Sequence, residues 1–228
     1  MSHDPLTDAP HGAGNPVAAA RALLADLPRL HRWRGEPEVG GLDQRIGERI
    51  IAELGRHPAP RVIETGAGAS TLLFCCLQPR DLVSIAPDEA LGDRMLAEAE
   101  AREIATDRLR FLCERSELAL PRLVADGEHF DIALIDGSHS MVSVFVDFCY
   151  VNLMLSVGGS LLIDDVQLHS VGQLYLLLRQ QEEFEYTALD GKLATFHKVR
   201  DRPFLPDWRA QPYVEANTVV PPTTPTAE

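Results

Sequence analysis

Five short, mostly apolar runs constrain this chain more than anything else in it. They are RVIET (61–65), LVSIA (82–86), LRFLC (109–113), FDIALI (130–135) and SLLID (160–164). Apolar residues at successive rather than alternate positions mark strands covered on both faces. Stretches of helical period lie between or after them, at about 70–78, 89–105, 116–125, 140–155 and 167–182. Buried strands joined through helices are βαβ units, and these build a parallel sheet. The segment FEYTALDGKLATFHKV breaks the pattern: it reads as two strands about Asp190-Gly191, a hairpin turn signal. The expected fold is therefore an open α/β sheet, parallel until it ends in an antiparallel hairpin.

Four stretches divide the chain. Residues 1–16 are rich in Pro, Gly, Asp and His and are expected to be disordered. Residues 17–57 read as N-terminal helices. The first begins near Pro16 and is interrupted near Pro28; the second runs from Leu42 to Arg56 with Ile46, Ile50, Ile51 and Leu54 on one stripe. Gly55, Pro58 and Pro60 end it. The sheet domain occupies 58–200. The tail, 201–228, is Pro- and Thr-rich and is also expected to be disordered.

The chain carries 21 Lys+Arg against 34 Asp+Glu, a net charge of −13. A nucleic-acid binder needs a basic face to neutralise phosphates, so the balance favours a small-molecule partner and no nucleic acid. No apolar run approaches 18 residues and the N-terminus shows no secretory pattern, so no membrane partner is expected and the cytoplasm is the default location. Cys75, Cys76, Cys113 and Cys149 lack CxxC spacing and read as buried, reduced thiols rather than a zinc site.

The first run ends in VIETGAGAST, Val62 to Thr71. Glycines at such a strand end let backbone approach a ligand at the N-terminus of the next helix, beyond the carboxyl ends of the strands. Gly66 and Gly68 supply the turn; Ser70 and Thr71 can cap the helix and donate hydrogen bonds. The third position of a dinucleotide fingerprint is Thr71 here, a poor fit. Glu64, just before the glycines, would repel a pyrophosphate and suits a ligand with a cationic amine.

The segment E-T-G-A-G-A-S-T resembles the first motif of class I S-adenosylmethionine-dependent methyltransferases. F-D-I-A-L-I-D-G-S-H-S with G-G-S-L-L-I-D-D resembles their bacterial small-molecule O-methyltransferase branch, which includes metal-dependent catechol-type and macrolide-sugar enzymes. The resemblance spans about Arg61 to Val199. It implies a Rossmann-like, open, seven-stranded, mostly parallel sheet with a terminal antiparallel hairpin and helices on both faces. It implies that 58–200 binds S-adenosylmethionine through Glu64, Gly66, Gly68, Ser70 and Thr71, with Asp136 also at the cofactor. The family's ribose-binding acid falls here on Ala86, a departure that Asp88 can offset if the loop bends at Pro87. Ser116 is placed at the adenine, or is a plain helix N-cap.

The fourth run ends at Asp136 and the fifth at Asp164-Asp165. In the strand order 3-2-1-4-5 these ends are neighbours on the face of the glycine turn. Converging carboxylates repel unless protonated or bound to a cation, and oxygen donors suit Mg²⁺ or Mn²⁺. The resemblance implies the same: Asp136, Asp164 and Asp165 as metal ligands. His139, three residues after Asp136, is the expected general base, with Asp136 beside it in the chemistry; neutral imidazole removes a proton near pH 7. His169 is a second candidate, at a solvent-facing position. His57, His129 and His197 read as surface residues. The expected activity is metal-assisted O-methylation of a small hydroxylated molecule, against the alternative of a degenerate member acting as a scaffold. The N-terminal helices are a candidate substrate cap, around His31, Trp33 and Arg34, or a homodimer surface.

Overall fold

The computed structural model describes residues 15–38, 40–201, 207, 209 and 211–219. Expectations for 1–14 and for most of the tail lie outside these residues; within the tail, Pro212–Ala216 form a short helix, α8.

The elements run in this order: α1 (Pro16–Ala25), β1 (His31–Trp33), β2 (Glu36–Glu38), α2 (Gln44–Leu54), β3 (Arg61–Thr65), α3 (Ala69–Leu77), β4 (Asp81–Ile85) and α4 (Glu89–Ala101). They continue with β5 (Leu109–Leu112), α5 (Ser116–Ala125), β6 (Phe130–Ile135), α6 (Met141–Met154), β7 (Leu155–Ile163), α7 (His169–Leu178), β8 (Phe184–Asp190) and β9 (Leu193–Lys198). Seven strands form one sheet in the order β5-β4-β3-β6-β7-β9-β8. Its first five strands are parallel; β9 pairs antiparallel with both β7 and β8. This is the sheet expected from the sequence, hairpin included.

The strand residues alternate between two cores. Val62, Leu82, Ile132, Leu134 and Leu162 pack toward α1–α4, while Ile63, Val83, Ala133, Ile135 and Leu161 pack toward α5–α7. Both faces of the sheet are therefore covered, which is why its strands lack a polar stripe.

Register decides what meets at the top of the sheet. Thr65 pairs with Ile85 on one side and Ile135 on the other; Ile135 pairs in turn with Ile163. The residues that leave the sheet next are Ala86, Gly66, Asp136 and Asp164, side by side. Main-chain bonds continue the ladder one step beyond the strands: Gly66 N–H donates to Ile85 O (2.9 Å), Asp136 N–H to Thr65 O (2.9 Å) and Asp164 N–H to Ile135 O (3.0 Å).

Several expectations need correction. The stretch after Pro28 forms the small β1–β2 hairpin instead of more helix. β7 starts at Leu155, directly from the end of α6, with an irregularity against β6 between Phe130 and Ile132. Cys113 is exposed and Cys149 half-buried; only Cys75 and Cys76 are buried. Cys113 follows β5, the strand at one edge of the sheet, so one flank lacks a neighbour. His57 and His197 are half-buried rather than surface residues, because a buried glutamate draws them in. Glu53 of α2 is 3% exposed and accepts from Ser160 Oγ (2.8 Å); His197 Nε2 lies 3.0 Å from the same oxygen, and His57 Nε2 lies 3.2 Å from Ser160 Oγ. His129 is exposed, as expected. Among the described residues no helix is long and apolar enough to cross a membrane.

Candidate active site

A cleft of about 780 Å³ opens where the strand ends line up. Its floor is the β3–α3 turn, Gly66 to Ser70. One wall is Ala86, Pro87, Asp88 and Leu91, continuing to Arg115, Ser116 and Glu117; the far end is Asp136 to His139 with Asp165; His31 and Gly40 to Leu42 reach in from the N-terminal segment.

Gly66 is fixed by packing as well as by conformation. Its φ is +93°, and a Cβ there would lie 2.4 Å from Asp136 O. Any side chain would push the turn off the β6 end, so glycine keeps the cleft floor and the acidic loop in contact. At Gly68 the neighbour is the His31 imidazole, which stands over the turn.

Glu64 does not line the cleft. It is 1% exposed, beneath the turn, where Ser70 Oγ donates to its Oε2 (2.8 Å) and Thr71 Oγ1 donates to its Oε1. Thr71 Oγ1 in turn accepts from Gly68 N–H (3.0 Å). Burial pushes the Glu64 carboxyl up to about 7, against the hydroxyl bonds that favour its ionised form. Glu64 and Thr71 thus brace the turn from below, with the Ser70 hydroxyl bonded to Glu64, while Gly66, Gly68 and Ser70 line the cleft. Asp88 lines the cleft and also caps α4, accepting from Leu91 N–H (3.1 Å), with Arg94 3.5 Å away. Ser116 lines it as the first residue of α5.

At the acidic end, His139 Nε2 lies 3.3 Å from Asp165 Oδ2 and 3.6 Å from Asp136 Oδ1. The Asp136 carboxylate above all, with Asp165 and Asp164, holds the imidazole pKa above its ordinary value despite partial burial. The loop bearing His139 is tied down by Ser170 Oγ, which donates to His139 O. His169, next to it, is exposed and points no ligand atom into the cluster. Ligand atoms of Asp136, His139 and Asp165 lie within 4.8 Å of one another, close enough to share a metal ion.

Asp164, expected in that cluster, faces another group. Its Oδ2 accepts from Lys192 Nζ (2.7 Å), and the same ammonium donates to Asp165 Oδ1 (2.8 Å). Asp164 is 3% exposed, and its other oxygen has no hydrogen-bond partner among the described residues. Burial first, then the nearby Asp136 charge, push its pKa up; Lys192 pulls it down.

The sequence reading missed Lys192 and Asp147. Asp147 of α6 is fully buried beneath Gly137, and burial raises its pKa while the Ser116 and Thr65 hydroxyls favour its charge. Its signal was an acid within an apolar helix, VSVFVDFCYV. For Lys192 the signal was topological. β9 runs antiparallel to β7 with Ile163 opposite Ala194, so the hairpin tip must fall beside the acids that end β7.

A mostly parallel sheet in this order, with helices on both faces and an antiparallel hairpin at one end, is a Rossmann-like α/β fold that solved methyltransferases share. Residues 63–166, from β3 to just past β7, match the family model of a methyltransferase domain. Solved structures share the fold at low identity. The O-methyltransferase TomG of Streptomyces achromogenes, solved with S-adenosylmethionine, is 17% identical with a TM-score of 0.56, over 86% of this chain and 93% of that one. The O-methyltransferase of Bacillus cereus, solved with S-adenosylhomocysteine, is 15% identical with a TM-score of 0.56, over 86% and 94%. The methyltransferase MycE of mycinamycin biosynthesis, solved with Mg, S-adenosylhomocysteine and mycinamycin VI, is 18% identical with a TM-score of 0.52, over 74% and 53%. No curated protein sequence matches the chain.

Proposed function

We propose that this protein transfers the methyl group of S-adenosylmethionine to a hydroxyl of a small molecule, at a site where a divalent cation is held by acids. The observation that carries the reading is the single cleft in which the Gly66–Ser70 turn faces Asp136, His139 and Asp165. The turn, with Asp88 and Ser116 along the wall, offers backbone and hydroxyl groups to the cofactor. A sulfonium methyl is already activated, so the protein's task is to align a nucleophile and remove its proton.

The donor set fits Mg²⁺ or Mn²⁺: the carboxylates of Asp136 and Asp165 are hard oxygen donors, and the imidazole of His139 beside them is left free as a base. Asp136 and Asp165 would hold the ion, with His139 beside them; Asp164 is turned to Lys192. Held there, such an ion would lower the pKa of a substrate hydroxyl. His139 stands between the two carboxylates, where it takes the hydroxyl proton, and Asp136 keeps the imidazole oriented. Co-crystal complexes of TomG, the Bacillus cereus enzyme and MycE with cofactor or product support the cofactor assignment. The net charge of −13 supports a small molecule over nucleic acid as substrate.

Incubation with methyl-labelled S-adenosylmethionine and a panel of phenols, catechols and hydroxylated sugars, with and without Mg²⁺, tests the reading. Label should pass to a hydroxyl of at least one class and fall when EDTA is added. Transfer that ignores EDTA would remove the metal from the account; binding of cofactor with no transfer to any class would favour a non-catalytic scaffold.

A further inference from the structure

The Lys192 ammonium sits where cation chemistry is expected, yet it belongs to the chain. It bonds Asp164 at 2.7 Å and Asp165 at 2.8 Å, both charge-assisted distances. Its position is built rather than incidental. Lys192 O accepts from Val166 N–H (3.1 Å), which ties the hairpin tip to the residue following the two acids. The preceding Asp190 is gripped by α2: Arg49 Nε donates to its Oδ2 (2.6 Å) and Arg45 Nε to its Oδ1 (3.4 Å). The following residue, Leu193, is fully buried. From the other side Gly41 closes over the ammonium; a Cβ there would lie 2.1 Å from Nζ. Backbone on both flanks, an anchored turn and a glycine lid leave the ammonium little freedom to leave.

We propose that Lys192 is a tethered counter-ion of the acidic cluster, which neutralises Asp164 permanently and confines a divalent ion to Asp136 and the free side of Asp165, beside His139. The proposal rests on the metal-assisted reading only for its second half; the counter-ion itself stands on the geometry of Lys192. Its consequence is a site whose carboxylates stay gathered with no metal bound and whose metal affinity is held down. Affinity for hard cations rises with the number of ligand charges, and one of the three carboxylates is already spent on an ammonium. Removing one partner of a buried pair leaves the other charge uncompensated. A variant without the ammonium should therefore be weakened when metal-free and should recruit Asp164 as a further ligand.

The test uses the full chain as wild type, Lys192→Met and the double variant Lys192→Met/Asp164→Asn, all stripped with EDTA. Thermal midpoints are measured metal-free, and Mn²⁺ is titrated by calorimetry. Lys192→Met should melt lower than wild type without metal and bind Mn²⁺ about tenfold tighter or more, the scale of changes just outside a metal's ligand set. The double variant should recover the metal-free midpoint and lose the gain in affinity. If Lys192→Met fails to fold without metal, recovery of folding by Mn²⁺ and in the double variant supports the proposal. A Lys192→Met protein that melts like wild type, or binds Mn²⁺ no tighter, overturns it. Mn²⁺ uptake by Lys192→Met but not by wild type would sink the metal-assisted reading while upholding the counter-ion.

Discussion

β6 and β7 are neighbouring parallel strands that leave the core in register and end in acids, and their ends are treated differently. Asp136 after β6 opens onto the cleft beside His139 with no lysine or arginine paired to it among the described residues. Asp164 after β7 is buried and held by Lys192 from the hairpin, whose only partner among the parallel strands is β7. Asp165 links the two, one oxygen toward Lys192 and the other toward His139, with its backbone in the left-handed region at φ +59°. Left-handed backbone costs a non-glycine residue on the order of 1 kcal/mol and persists where the surroundings enforce it. Two neighbouring strand ends thus divide in kind: the one beside the hairpin has a compensating cation, and the one without it opens onto the cleft, where the proposed function puts the chemistry.

His139→Ala should break the open end most severely. Loss of a general base costs roughly 10² to 10⁴ in turnover; a loss under threefold in steady-state assays would make His139 a bystander. Because Asp136 and its neighbours raise the His139 pKa, the imidazole of the EDTA-stripped protein should titrate above the ordinary histidine value when followed by NMR, and Asp136→Asn should bring it down. Asp136→Asn should cost about 10³ in kcat/KM, several kcal/mol of lost charge stabilisation, and weaken Mn²⁺ binding in the same titration. Unchanged Mn²⁺ affinity there would show that the open end is not where metal sits.

A smaller effect sharpens the contrast between braced and open acids through Glu64. Its folded pKa, about 7, lies above the unfolded carboxylate value, so the folded state binds the extra proton. Stability from this group is then greatest below the unfolded pKa and declines as pH rises toward 7, by roughly 3 kcal/mol in total for a shift of this size. Glu64→Gln should flatten that decline in denaturation midpoints between pH 4.5 and 7; an identical slope would mean that Glu64 is ionised throughout. The least effect on catalysis is expected at Glu53, which does not line the cleft and bonds Ser160 and His197 within the sheet. Glu53→Ala strands Ser160 and His197 and should cost on the order of 1–3 kcal/mol of stability, with turnover unchanged; a collapse in turnover would tie α2 to the chemistry.

The sheet was legible because its code is local. Each parallel strand announces itself by continuous burial, and Asp190-Gly191 announces the hairpin; strand order then places the glycine turn beside Asp136 and Asp164. The site was less legible where it depends on which way a side chain turns. Glu64 was placed with the cofactor by its chemistry, yet the pleat sends it under the turn to Ser70 and Thr71. Asp164 was grouped with the metal ligands by strand order and by the resemblance, neither of which shows the bond it accepts from Lys192, 28 residues downstream. The β1–β2 hairpin was hidden because three-residue strands leave too short a pattern, and its turn is Arg34-Gly35, with Arg34 at φ +50° where an asparagine would have completed the usual Asn-Gly signal.

Calorimetric titration of S-adenosylmethionine into EDTA-stripped protein, repeated with Mn²⁺, puts the cleft itself to the test. The account predicts micromolar binding to the metal-free cleft, because Lys192 keeps the acids gathered, and a separate heat for Mn²⁺ that disappears in Asp136→Asn. No cofactor heat under either condition would contradict it, and would mark Ala86, standing where the resemblance expects a ribose-binding acid, as the point at which cofactor binding was lost.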